Sequence, residues 1–72
     1  MSDQKIVRLN VNLSEETAAA LKQMAERERR SITETIRRCI AVTDYLDSER
    51  AAGRIILTSK DNGRDQRELR FL

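Results

Sequence analysis

Near the start of the chain, Lys5 to Ser14 alternate between two kinds of side chain, and this one stretch limits the architectures open to the rest. Val7, Leu9, Val11 and Leu13 fall on one face of a strand, and Ile6, Arg8, Asn10 and Asn12 on the other. The first face is wholly apolar and has to be covered. The second is mostly polar, and its two Asn are poor strand formers because the side chain competes for local backbone hydrogen bonds. Asn and Arg in register therefore point to residues chosen for what they touch. A lone strand is not stable, since both of its edges are unpaired. Pairing with its own copy about a two-fold axis removes that problem and displays Arg8, Asn10 and Asn12 twice.

Size leads to the same place. A chain of 72 residues makes one domain and buries only about 60% of its unfolded surface, which is marginal without disulfides, metal or oligomerisation. One Cys and no His exclude an intrachain disulfide and an ordinary zinc site. A homodimer remains. Cys39 reads as a small packing residue rather than a reactive thiol. A lone thiol, with no apolar run of membrane-spanning length, fits a cytoplasmic protein with no membrane partner. The net charge of +2 does not by itself demand nucleic acid, but eleven of the fourteen basic residues are Arg, the side chain suited to gripping phosphate or guanine with a planar fork. Enzymatic activity is not expected: no catalytic residue, metal ligand set or cofactor loop is visible.

The rest of the chain reads as two helices and a hairpin. Ser14 caps a helix over Glu15–Glu28, with Glu15 and Glu16 at the positive end of its dipole and Ala18, Leu21, Met24 and Ala25 on one face. Arg30 or Ser31 forms the turn without the usual Gly, which puts one residue near positive φ. The second helix has two candidate caps, Ser31 and Thr33, and Thr33 is preferred, with Ile32 dropping into the core. Ile32, Ile36, Cys39, Ile40, Thr43 and Leu46 form its apolar stripe, and Gly53 closes it. In the tail, Ile55 to Thr58 and Leu69 to Leu72 read as two strands of a hairpin about Asn62-Gly63. A three-residue Asp61-Asn62-Gly63 loop is preferred to a two-residue one. It pairs Ile55 with Leu69 and gathers Ile55, Leu57, Leu69 and Phe71 on one face.

A two-stranded ribbon fits the major groove of B-DNA, where Asn pairs with adenine and Arg with guanine in bidentate fashion. With Arg8-Leu9-Asn10-Val11-Asn12-Leu13-Ser14, then Leu21 and Ala25, then Ser31-Ile32-Thr33-Glu34-Thr35-Ile36 in this order, residues 5–52 resemble the ribbon-helix-helix family of dimeric DNA-binding proteins (the MetJ/Arc/CopG group). The resemblance implies a mainly α fold with one short strand, forming an intertwined homodimer around a two-stranded antiparallel intersubunit ribbon. It implies base reading by Arg8, Asn10 and Asn12, and phosphate binding by the backbone amides of Ile32, Thr33 and Glu34 at a helix N-terminus, as helix dipoles favour. Ser31, Arg30 and Lys5 are further candidates for phosphate contact. The expected dimer core is Val7, Leu9, Val11, Leu13, Leu21, Ala25, Ile32, Ile36, Cys39, Ile40 and Leu46. The turn departs from the family pattern, because Arg29-Arg30-Ser31 stand where many members have a Gly.

The expected organisation is an N-terminal arm over 1–4, a ribbon-helix-helix domain over 5–53 and a C-terminal β-hairpin over 54–72. The expected function is sequence-specific, dimeric DNA binding as a transcriptional repressor of bacterial or phage origin, with several dimers lining up on repeated half-sites. Two alternatives share the fold. One is an antitoxin whose segment 54–72 docks a partner protein such as a toxin; the other is an architectural or partition protein that coats DNA. The solvated-surface reading also stays open for Arg29, Arg30, Arg37 and Arg38, which balance Glu26, Glu28 and Glu34. Segment 54–72 reads first as a packing cap on the second helix, with a further self-association surface as another reading.

Overall fold

The computed structural model describes residues 5–70. The arm expected over 1–4, and Phe71, lie outside the described residues. Four elements follow in order: α1 (Glu15–Glu28), α2 (Ile32–Ala51), β1 (Ile56–Thr58) and β2 (Arg67–Leu69).

Helix α1 begins where its sequence predicts. Ser14 is extended, and its Oγ accepts from the Thr17 amide at 3.1 Å while donating to Thr17 Oγ1 at 3.0 Å. Its end differs from expectation. Neither Arg30 nor Ser31 takes the left-handed conformation; Arg29 does, at φ 54 and ψ 44. That geometry lets the Arg30 amide reach Ala25 O at 2.9 Å and the Arg29 amide reach Glu26 O at 3.2 Å, the paired closure of a Schellman motif. An L-residue placed there costs about 1–2 kcal/mol of local strain.

The cap of α2 is a second correction. Ser31, not Thr33, is the N-cap: its Oγ accepts from the Glu34 amide at 3.0 Å, and its carbonyl accepts from the Thr35 amide at 3.0 Å. Ser31-Ile32-Thr33-Glu34 is the S-x-x-E pattern of a capping box, which places the helix start two residues earlier than Thr33 would. Half of the box is made, because the Glu34 carboxylate turns to Arg37 Nη1 at 2.6 Å instead. At the far end Gly53, at φ 85, closes the helix as expected. Its amide reaches Arg50 O at 2.9 Å, and the Arg54 amide reaches Glu49 O at 3.1 Å.

Strands β1 and β2 pair antiparallel with Ile56 opposite Leu69, Leu57 opposite Glu68 and Thr58 opposite Arg67. This register overturns the expected pairing of Ile55 with Leu69, although the expected loop is present. The Gly63 amide donates to Lys60 O at 2.8 Å, the Lys60 amide to Arg64 O at 2.9 Å, and Gly63 is left-handed at φ 81. Beyond that loop Asp65, at φ 57, adds one residue to the returning strand. Only Ser59 separates Thr58 from Lys60, whereas Asp65 and Gln66 separate Arg64 from Arg67. The bulge shifts the register by one and puts Ile55 and Leu57 on the face opposite Ile56 and Leu69.

Residues 5–14 are not hydrogen-bonded as a strand in the single chain. The physical reason is the one that makes a lone strand unstable: no edge in the chain lies beside it. Its apolar face is open, with Leu9 79% exposed. The helices close on each other at two small residues, Ala25 and Thr35, which are 5% and 3% exposed and are the buried residues among those described. The Thr35 hydroxyl is satisfied by Ser31 O at 2.9 Å. Accessible surface totals 7330 Å², where a folded monomer of this mass exposes about 4,600 Å². The radius of gyration is 15.7 Å, against about 11 Å for a compact chain of this length.

Candidate nucleic-acid interface

Arg8, Asn10 and Asn12 lie on the exposed segment that leads into Ser14. Among the described residues none of the three makes a hydrogen bond or an ion pair, so their donors and acceptors are uncommitted. The apolar residues between them do not rejoin the chain's own core. Val11 and Leu13 instead lie along an open groove of about 320 Å³ that continues over Leu21, Ile36, Cys39 and Ile40. Six residues of the expected dimer core thus line one continuous apolar surface. The remaining five divide. Ala25 is buried between the chain's own helices, Leu46 is half-buried, and Val7, Leu9 and Ile32 are exposed.

At the start of α2 the amides of Ile32 and Thr33 have no acceptor within the described chain, while that of Glu34 is taken by Ser31 Oγ. Two free amides therefore sit at the positive end of a twenty-residue helix, where the dipole favours an anion. Ser31 serves this site by capping. Lys5 is exposed at the far end of the extended segment.

The Arg side chains near this helix start are not all free. Glu28 Oε1 accepts from Arg30 Nε at 3.2 Å and also from Arg38 Nη1. The hydrogen bond from Arg38 is the main reason the Glu28 carboxyl titrates below the ordinary carboxylate range; desolvation opposes it, and the charges of Arg38, Arg30 and Arg27 add to the lowering in smaller amounts. The same bond holds the Arg38 guanidinium above its usual value. This cluster ties the end of α1 to the second turn of α2, across ten positions in sequence. Arg37 is engaged separately, with Glu34 at 2.6 Å.

Sequence reasoning missed the burial of Thr35, and it gave Glu28 only as a surface charge balancing the nearby Arg residues. A signal for Thr35 existed: Thr35, Cys39, Val42 and Leu46 repeat at spacings of three and four, one step around the helix from Ile36 and Ile40. Helix α2 thus has two adjoining apolar stripes that share Cys39; on the first, Thr35 is buried and Leu46 half-buried, while Cys39 and Val42 are exposed. The charge balance at Glu28 is local for Arg30, two residues on, whereas its bond to Arg38 is fixed by how the helices cross. Among the described residues no cluster of three His, Cys, Asp or Glu is placed to hold a metal, and no helix is long and apolar enough to cross a membrane.

A family model described as ribbon-helix-helix protein, copG family, matches residues 7–49. No curated protein and no solved structure matches the chain.

Proposed function

The chain belongs to the CopG family of ribbon-helix-helix proteins, and from that premise we propose that it is a sequence-specific transcriptional repressor that reads the major groove with a ribbon built from two copies of residues 5–14. The family comprises DNA-binding transcription regulators and antitoxins, and its members bind DNA as dimers. The observation that carries the finer reading is the uncommitted Arg8, Asn10 and Asn12 face, which backs onto an apolar face with no cover in its own chain. Pairing two such segments antiparallel covers both needs at once. Val7, Leu9, Val11 and Leu13 join the groove residues as the dimer core, and the polar face is presented symmetrically.

In this reading the Ile32 and Thr33 amides hold a DNA phosphate at the start of each α2, with the Glu34 amide already capped. Arg30 and Lys5 add charge beside the backbone. These contacts fix position and supply most of the affinity, while the ribbon side chains supply the sequence preference.

An unbiased selection of bound DNA by the purified protein tests this directly. The expected product is a pair of symmetric half-sites. Asn10→Ala is expected to relax one base pair in each half-site, with a loss of about 1–3 kcal/mol of discrimination. An unchanged preferred sequence in that variant rules out ribbon reading.

A further inference from the structure

The β1–β2 pair has two outer edges, and they differ in kind. The β2 edge is guarded: Arg67, Glu68 and Arg70 carry charge along it, and the Asp65 bulge bends the chain just before it. Charge and bulges are how sheets discourage an incoming strand. The β1 edge has none of these. Ile55, Ile56, Leu57 and Thr58 are uncharged, and no bulge interrupts them. Ile56 is half-buried, while Ile55 and Leu57 share the opposite face at 62% and 48% exposure.

We propose that β1 pairs antiparallel with β1 of a second copy, centred on Ile56, and so joins one dimer to the next through a four-stranded β2–β1–β1–β2 sheet. The segment is complementary to itself in this register. Ile56 meets Ile56 of the second copy, and Ile55 meets Leu57 in both directions. Arg54 lies across from Thr58, so no like charges oppose. An uncharged, apolar edge is best covered by another uncharged, apolar edge, and β1 is itself that edge. The β2 edges cannot do the same with Glu68 at the centre, because that register sets Glu68 against Glu68.

The pairing adds a second two-fold axis to each chain, distinct from the one through residues 5–14. A dimer with two β1 edges links to further dimers, which would give cooperative occupation of adjacent half-sites. The inference rests on the dimer of the preceding section as its unit.

Sedimentation of the full chain without DNA, across a range of concentrations, tests the pairing. The wild type is expected to pass from dimer to tetramer and larger species. Leu57→Lys sets an unpaired ammonium against Ile55 of the second copy, and is expected to weaken dimer–dimer association by about tenfold or more. The double change Ile55→Lys with Leu57→Glu sets opposite charges across the axis and is expected to restore association. A shift of register by two residues would instead oppose like charges. A wild type that stops at the dimer, or a double variant no better than Leu57→Lys, overturns the β1 pairing and leaves the reading of DNA by the ribbon intact. A chain that sediments as a monomer throughout overturns both.

Discussion

Arg29 holds a position that chain geometry reserves for residues without a side-chain penalty. Its φ of 54 is the condition for the Arg30 amide to reach Ala25 O, and hence for Ser31, the next residue, to cap α2. Arg29→Gly relieves the left-handed strain but adds freedom to the unfolded chain; the first effect is larger. The variant is expected to gain about 1 kcal/mol, read by denaturant unfolding at fixed protein concentration. A loss would mean that the Arg29 side chain stabilises the fold in a way its backbone does not reveal. Glu28 is a residue of another kind. It holds Arg30 and Arg38 on one carboxylate, so two of the cations nearest the start of α2 are oriented before any phosphate arrives. That arrangement was not legible in the sequence, because a contact across ten residues depends on the crossing of two helices, whereas the polar face of Arg8, Asn10 and Asn12 follows from alternation alone.

At the scale of elements, what could be read depended on whether the deciding interaction was local. The start of α1 follows from Ser14 and the two Glu after it, all within one turn of one another, and its extent from the apolar period. The start of α2 is equally local: the Ser31–Glu34 spacing marks the cap, and placing Ile32 in the core ahead of a Thr33 cap sets that spacing aside. A substitution pair separates the two caps. Ser31→Ala is expected to cost about 1 kcal/mol through the lost acceptor for the Glu34 amide. Thr33→Ala, at an exposed site with no capping bond, is expected to stay within about 0.5 kcal/mol of wild type. Equal losses would contradict the observed cap. The β1–β2 register departs from the sequence expectation for a different reason. The Gly63 loop is as the turn residues dictate, but the extra residue at Asp65 has no signature beyond the tolerance of Asp for positive φ. One such residue exchanges the faces on which every later side chain lies.

For the whole molecule, the decisive quantity is surface. The chain exposes 7330 Å², an excess of about 2,700 Å² over a folded monomer of its mass, and much of its exposed apolar surface lies on the strand segment and the open face of α2. Two small buried residues, Ala25 and Thr35, hold one helix to the other but make no core that could stand alone. Size, the single Cys and the absence of His make association the default expectation for this chain. The structure adds where the uncovered surface lies, in a groove lined by Val11, Leu13, Leu21, Ile36, Cys39 and Ile40. If folding and pairing are one event, stability has to depend on concentration, because dilution favours separated, unfolded chains by mass action. Each tenfold dilution is expected to remove about 1.4 kcal/mol of apparent stability per dimer, seen as a steady fall in Tm. The shift should persist in Leu57→Lys, which leaves the groove untouched, and a Tm independent of concentration would mean that the chain folds without its partner, despite the surface it leaves bare.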